Sequence, residues 1–137
     1  MAETFHLKVV TPGGAALEKV ATAFTISSKQ GEITVLPGHC LLLSALEAGR
    51  MLVAEENGTK ELFAIAGGYL EAGPHHANVI CDRCKAAGEI DAAALPAQIA
   101  DLEKKLEGLD PKAPEAAVDA EELKWLEACL AVGAAQQ

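Results

Sequence analysis

The chain has 137 residues, half of them hydrophobic but few aromatic, and a net charge of −9. That length holds one domain, or one small domain with an appendage, around an aliphatic core. Such acidity repels nucleic-acid backbones and anionic lipid head groups and favours protein partners with basic or neutral surfaces.

The opening Met-Ala-Glu-Thr lacks the basic and apolar regions of a signal peptide, so a cytoplasmic chain with Cys40, Cys81, Cys84 and Cys129 reduced is expected. Phe5-His-Leu-Lys-Val alternates apolar and polar, as a half-buried strand does. Thr11-Pro-Gly-Gly is a turn, and residues 16–19 form a short strand. Residues 21–27 place Ala21, Ala23, Thr25 and Ser27 on one face, with Thr22, Phe24 and Ile26 on the other. Gly31 follows a polar tip and supplies a positive φ for a tight turn. Ile33, Thr34 and Val35 are β-branched and favour an extended strand. Pro37-Gly38 ends it, since Pro donates no ladder bond and Gly permits a sharp bend. Glu32 and His39 thus flank a short, stiff, apolar strand.

Residues 41–46 form the next apolar stretch. The longest apolar cluster, 40–46, is interrupted by Ser44 and falls far short of the roughly 20 residues that span a bilayer. Residues 50–55 and 60–66 meet across Asn57-Gly58, the strongest short hairpin signal. Gly67-Gly68 breaks the pattern. Residues 69–72 and 77–81 read as a last hairpin around Gly73-Pro-His-His. Many short strands at this spacing imply a β-sandwich or barrel.

The character changes near Ala86, where Ala, Leu, Glu and Lys begin to dominate. Asp91 reads as an N-cap. Leu95, Ile99, Leu102, Leu106 and Leu109 form a heptad seam, with Pro96 in the first turn or two. Residues 108–114 carry two prolines and break the helix. Asp119-Ala-Glu-Glu122 resembles a capping box, leaving 114–118 as a leading turn or loop. Leu123, Leu126 and Leu130 form one stripe of a second helix, and Trp125, Cys129 and Val132 another beside it. The expected architecture is β plus α: an N-terminal β-sandwich of about ten short strands over 1–86, then a C-terminal antiparallel two-helix hairpin over 87–137. A hairpin of this size buries little by itself, so it must dock on the β-domain or on another protein.

Cys81-Asp-Arg-Cys84 is a CxxC. A structural zinc needs about four ligands, and the adjacent His75 and His76 lack the usual spacing. Thioredoxin-type chemistry needs the motif at a helix N-terminus, and here the helix starts later. No nucleophile elbow, phosphate loop or zinc-protease motif is present, so no catalytic residue, metal or cofactor is expected. Two readings stay open from the residues: a small thiol or zinc protein using Cys81 and Cys84, and a free-standing adaptor binding a partner helix.

Gly-Glu-Ile-Thr-Val-Leu-Pro-Gly-His at 31–39 with Leu42-Leu43, Phe-Ala-Ile-Ala-Gly-Gly-Tyr-Leu-Glu at 63–71, and the opening Phe5-His-Leu-Lys-Val-Val-Thr-Pro together resemble the epsilon subunit family of F-type ATP synthases, called delta in mitochondria. The resemblance covers nearly the whole chain. It implies a non-catalytic, ten-stranded sandwich in the central stalk, seated on the gamma subunit and on the polar loops of the membrane rotor ring of c subunits. It also implies a peripheral position on the cytoplasmic face of a bacterial plasma membrane, with no bilayer insertion, and coupling of ion flow to ATP synthesis. Gly31, Glu32, Pro37, Gly38, His39 and Leu42 become the rotor-ring and gamma contacts, Glu32 meeting a basic rotor loop. The hairpin, with Asp91, Leu95, Ile99, Leu102, Leu106, Leu123, Leu126 and Leu130, becomes a regulatory element that extends toward the catalytic head and inhibits ATP hydrolysis.

Two departures stand out. Members of the family that bind ATP open the first helix with Ile/Leu-Asp-x-x-Arg. Here Ala94 holds the Arg position and no Arg follows Arg83, so nucleotide binding is not expected. The hairpin is also acidic, where basic residues on the second helix help inhibition in some relatives.

Overall fold

The computed structural model describes residues 3–38 and 41–135. Eight strands come first: β1 (Phe5–Thr11), β2 (Gly14–Ser28), β3 (Gly31–Val35), β4 (Leu42–Glu55), β5 (Lys60–Ile65), β6 (Gly68–Ala72), β7 (His76–Cys81) and β8 (Cys84–Ala86). A 3₁₀ turn (Ala87–Glu89) leads to α1 (Leu95–Glu107) and α2 (Pro114–Ala135).

The two longest strands explain the architecture. β2 pairs with β1 through its first half, then with β3 and β4 through its second. β4 pairs with β6 through Leu42–Leu46 and with β5 from Gly49 onward. Each long strand therefore passes from one layer of a sandwich to the other. One layer runs β2-β1-β7-β6-β4, with β1 and β7 parallel, and the other runs β3-β2-β4-β5-β8. Eight strands thus fill ten places, five in each layer. Segments 16–19 and 21–27 read as separate strands in the sequence but are one here, as are 41–46 and 50–55. Cys84–Ala86 adds a short edge strand on β5 that the sequence pattern does not reveal.

Between the layers lies a mostly aliphatic core of Leu7, Val9, Phe24, Ile26, Met51, Val53, Ile65, Leu70 and Val79, all at most 1% exposed. Phe5 and Phe24 meet with ring centroids 5.8 Å apart, within the range of favourable aromatic contacts. The alternation expected over 21–27 is broken by a register shift between Ala21 and Ala23. The bulge turns Ala21 and Phe24 both inward, although strict alternation puts them on opposite faces. Gly68 sits where the chain leaves β5 for β6: a Cβ there would stand 1.9 Å from the Ile80 carbonyl oxygen, so only glycine fits.

The helices correct two expectations. Asp91 is not the N-cap of α1; its Oδ1 accepts a hydrogen bond from Ala93 N–H at 3.2 Å in a turn before the helix, and Ala94 holds the cap position with no side-chain bond. Pro96, in the first turn, sets the start because its ring and missing N–H are harmless there. The second correction is the capping box. Asp119 lies inside α2, which opens at Pro114 with Glu115 in its first turn favouring the helix dipole. Asp110 makes the break instead, accepting from Lys112 N–H through Oδ1 at 3.0 Å and from Ala113 N–H through its carbonyl at 2.9 Å.

α2 packs on the outside of β4 and β5. Phe63 and Ile65 point into the sandwich core, while Ala64 between them lies under the hairpin with Ala66, Ala87, Leu95, Trp125, Cys129 and Val132. This double cover explains why β5 ends in a continuous apolar run. Leu62, Ile90, Leu126 and Leu130 pack at the margin of the same cluster. Along α1 the seam is buried at Leu95 and Ile99 and half-exposed at Leu102 and Leu106, and Leu123 on α2 is likewise half-buried.

Candidate docking surfaces and the hairpin contact

The Ser28–Gly31 turn aims β3. Gly31 has φ 117°, which other residues rarely adopt, and the Ser28 hydroxyl donates to the Gly31 carbonyl while accepting from Gln30 N–H at 3.2 Å. Glu32 follows, opposite Ser27 on β2. Its Oε2 accepts from Arg50 Nε at 3.0 Å, and Arg50 N–H in turn bonds Ser27 Oγ at 3.2 Å. Both charged side chains are about half exposed. An exposed pair of this kind contributes roughly 0–1 kcal/mol, so its carboxylate can change partners at little cost.

The other end of β3 is a different place. Val35 is buried, Leu36 is exposed, and Gly38, at φ 81°, donates its N–H to the Pro74 carbonyl at 2.8 Å. That bond ties the loop after β3 to the β6–β7 turn. Leu42 lies close by, half-buried against the core and paired with Ala72. The fold thus gathers Pro37, Gly38 and Leu42 at one end of the sandwich and leaves Gly31 and Glu32 at the other. From Glu32 to Leu36 alone the strand spans about 13 Å at roughly 3.3 Å per residue. His39 lies outside the described residues.

A third surface was missed by sequence reading. Ala45, Tyr69, Ile80 and Val10 form one rung across β4, β6, β7 and β1, on the outward face of their layer. Leu43 stands two residues before Ala45. Leu43 is 75% exposed, Tyr69 60% and Ile80 53%, with Leu41 open beside them. Their sequence neighbours Leu70 and Val79 are buried. The signal was present as doubled apolar pairs, Leu42-Leu43, Tyr69-Leu70 and Val79-Ile80. In a strand, consecutive apolar residues must serve both faces. An open groove of about 890 Å³ runs from Val10, Tyr69 and Ile80 to Arg83, Glu121 and Lys124.

Arg83, in the link between β7 and β8, joins the sandwich to α2. Its guanidinium bonds both carboxylate oxygens of Glu122 and lies 5.0 Å from the centre of the Trp125 ring. The Glu122 hydrogen bond raises the Arg83 pKa further. Within the hairpin, Lys105 Nζ stands 3.2 Å from Asp119 Oδ2, close enough to attract but outside hydrogen-bonding angles. Cys81 and Cys84 are free, and burial pushes their thiols up to about 12 and about 11. With their protons held this firmly, neither thiol is an activated nucleophile near neutral pH. Among the described residues no group of three His, Cys, Asp or Glu is placed to hold a metal ion. Ala94 precedes α1 without any guanidinium of its own, and Arg83 is engaged with Glu122.

Residues 4–87 match the model of the ATP synthase Delta/Epsilon chain, beta-sandwich domain. The chain is 32% identical over 105 residues to the ATP synthase epsilon chain of Anoxybacillus flavithermus, covering 77% of this chain and 78% of the relative. It is 30% identical over 106 residues to the ATP synthase epsilon chain of Teredinibacter turnerae, covering 77% and 75%. The fold is similar to that of a chain in the Euglena gracilis mitochondrial ATP synthase, solved with OSCP, F1 and c-ring in rotational state 1. That match has a TM-score of 0.79 at 24% identity and covers 93% of this chain and 81% of the other.

Proposed function

The chain belongs to the ATP synthase delta/epsilon chain family, and from that footing we propose that it is a non-catalytic epsilon-type subunit in the central stalk of an F-type ATP synthase, helping couple ion flow through the rotor ring to ATP synthesis. The observation that carries the reading is the open apolar strip of Leu43, Tyr69 and Ile80 on one layer. A strip of this kind marks a surface that a partner covers. The gamma subunit takes that strip together with the Pro37, Gly38 and Leu42 end. The polar Glu32–Arg50 end meets the polar loops of the c-ring, where a rotor-loop cation competes with Arg50 for the carboxylate and fixes register more than affinity.

The subunit sits peripherally on the cytoplasmic face of a bacterial-type plasma membrane; no described helix is long and apolar enough to cross one. The hairpin rests against the sandwich, and when it extends toward the catalytic head it restrains ATP hydrolysis. The test is co-purification with co-expressed gamma and c subunits. Replacing Leu43, Tyr69 and Ile80 together by Asp places charges in the contact, and gamma capture should fall at least tenfold while the isolated variant melts like the parent. Undiminished capture would overturn the assignment of this face.

A further inference from the structure

We propose that Arg83 is the latch that fastens the C-terminal hairpin to the sandwich, one guanidinium holding Glu122 and Trp125 at once. Among the described residues, Arg83–Glu122 is the only hydrogen-bonded or ionic contact between the sandwich, up to residue 86, and the two helices. The apolar contact beside it is thin on the sandwich side, where two alanines, Ala64 and Ala66, are the buried floor under a 22-residue helix, with Leu62 at its margin. Alanine offers little area to bury, so a polar clasp matters more here than on a leucine-rich face.

The latch is mounted on rigid backbone. Arg83 C=O accepts from Ala66 N–H at 2.9 Å, and Asp82 N–H reaches the Gly67 carbonyl at 3.4 Å. Both lie beside Gly68, whose close fit against β7 fixes the chain path. Glu122 and Trp125 are three apart on α2 and so share a face. A planar guanidinium can fork onto a carboxylate and lie over an indole together, whereas an ammonium can do only one well. The charge balance points the same way. Residues 87–137 hold eleven acidic side chains against four basic, and the sandwich meets them with one of the chain's two arginines. The purpose of the latch rests on the stalk reading, in which the released hairpin is the inhibitory one; its existence does not.

Trp125 is the chain's single tryptophan and is 7% exposed, so it reports hairpin release directly. Hydrogen exchange and Trp emission are measured on the full-length isolated chain for Arg83→Ala, Arg83→Lys and Glu122→Gln. In Arg83→Ala, amides of α2 should exchange at least tenfold faster and emission should move to the red, with residues 63–65 as protected as in the parent. Arg83→Lys should fall between the two, because it keeps charge but loses the fork. Should Arg83→Ala also loosen the sandwich, Glu122→Gln, which leaves the strands untouched, must still speed α2 exchange at least threefold. Exchange of α2 within twofold of the parent in Arg83→Ala, or in Glu122→Gln where the sandwich is loosened, overturns the latch. Failure of gamma capture alone overturns the stalk reading and leaves the latch standing.

Discussion

Cys81 and Cys84 hold their protons because the thiolates would be buried, and Lys19 holds its proton because Glu61 and Glu55 bond the ammonium. All three folded-state values lie above the ordinary ones, so all three act in the same direction. Near pH 9 an unfolded chain begins to lose thiol protons that the folded chain keeps until about 11 and 12. Unfolding then releases protons, and rising pH favours it. Their stabilisation is complete below that range and is lost through it. Urea midpoints should therefore fall from about pH 8 to about pH 10.5, and fall less in Cys81→Ala than in the parent. An equal drop in both would refute this account of the thiol. Single residues were unevenly legible. Gly31 and Pro37 announce a turn and a strand end by their own chemistry. The Glu32–Arg50 pair was hidden, because Arg50 comes beside Glu32 only through two intervening pairings with β2.

Elements were read well where one period dominated and poorly where tertiary contacts overrode it. The heptad seam placed α1 well, but an aspartate four residues ahead looked like a cap because nothing local distinguishes a cap from a preceding turn. The capping box failed for the converse reason. Asp119 is mid-helix, and its Oδ2 is buried without a hydrogen bond. A true N-cap loses about 1 kcal/mol on replacement by Ala. Asp119→Ala should instead be close to neutral in thermal melts, since it removes an acceptor without a hydrogen bond and adds the best helix former, against the loss of the attraction to Lys105. A loss of 1 kcal/mol or more would restore the cap. The merged strands share this lesson, since a chain that crosses between layers looks like two short strands when only alternation is heard.

At the scale of the molecule, the order of sandwich then hairpin was legible from turn spacing, the heptad seam and the shift in composition near Ala86, and the open face was not. A face awaiting a partner is written in the same aliphatic residues as a core. Charge is also unevenly spread: the sandwich to residue 86 carries nine acidic side chains against seven basic, leaving most of the −9 on the hairpin. A triphosphate approaching the helices meets that field without an arginine fork to receive it. Calorimetry with the isolated chain should give no saturable heat at micromolar ATP, and a saturable heat abolished by Asp91→Ala would show the nucleotide reading to be wrong.

The parallel pairing of β1 with β7 joins His6 to His76 and Val10 to Ile80. During synthesis the first strand is therefore made long before its inner neighbour exists. Until residue 81 has left the ribosome, β1 has β2 on one side and a bare ladder edge on the other. Pairings this distant along the chain fold slowly, in milliseconds to seconds for β-rich domains. The nascent chain must carry an open strand edge, with its unpaired backbone donors and acceptors, through most of its own translation.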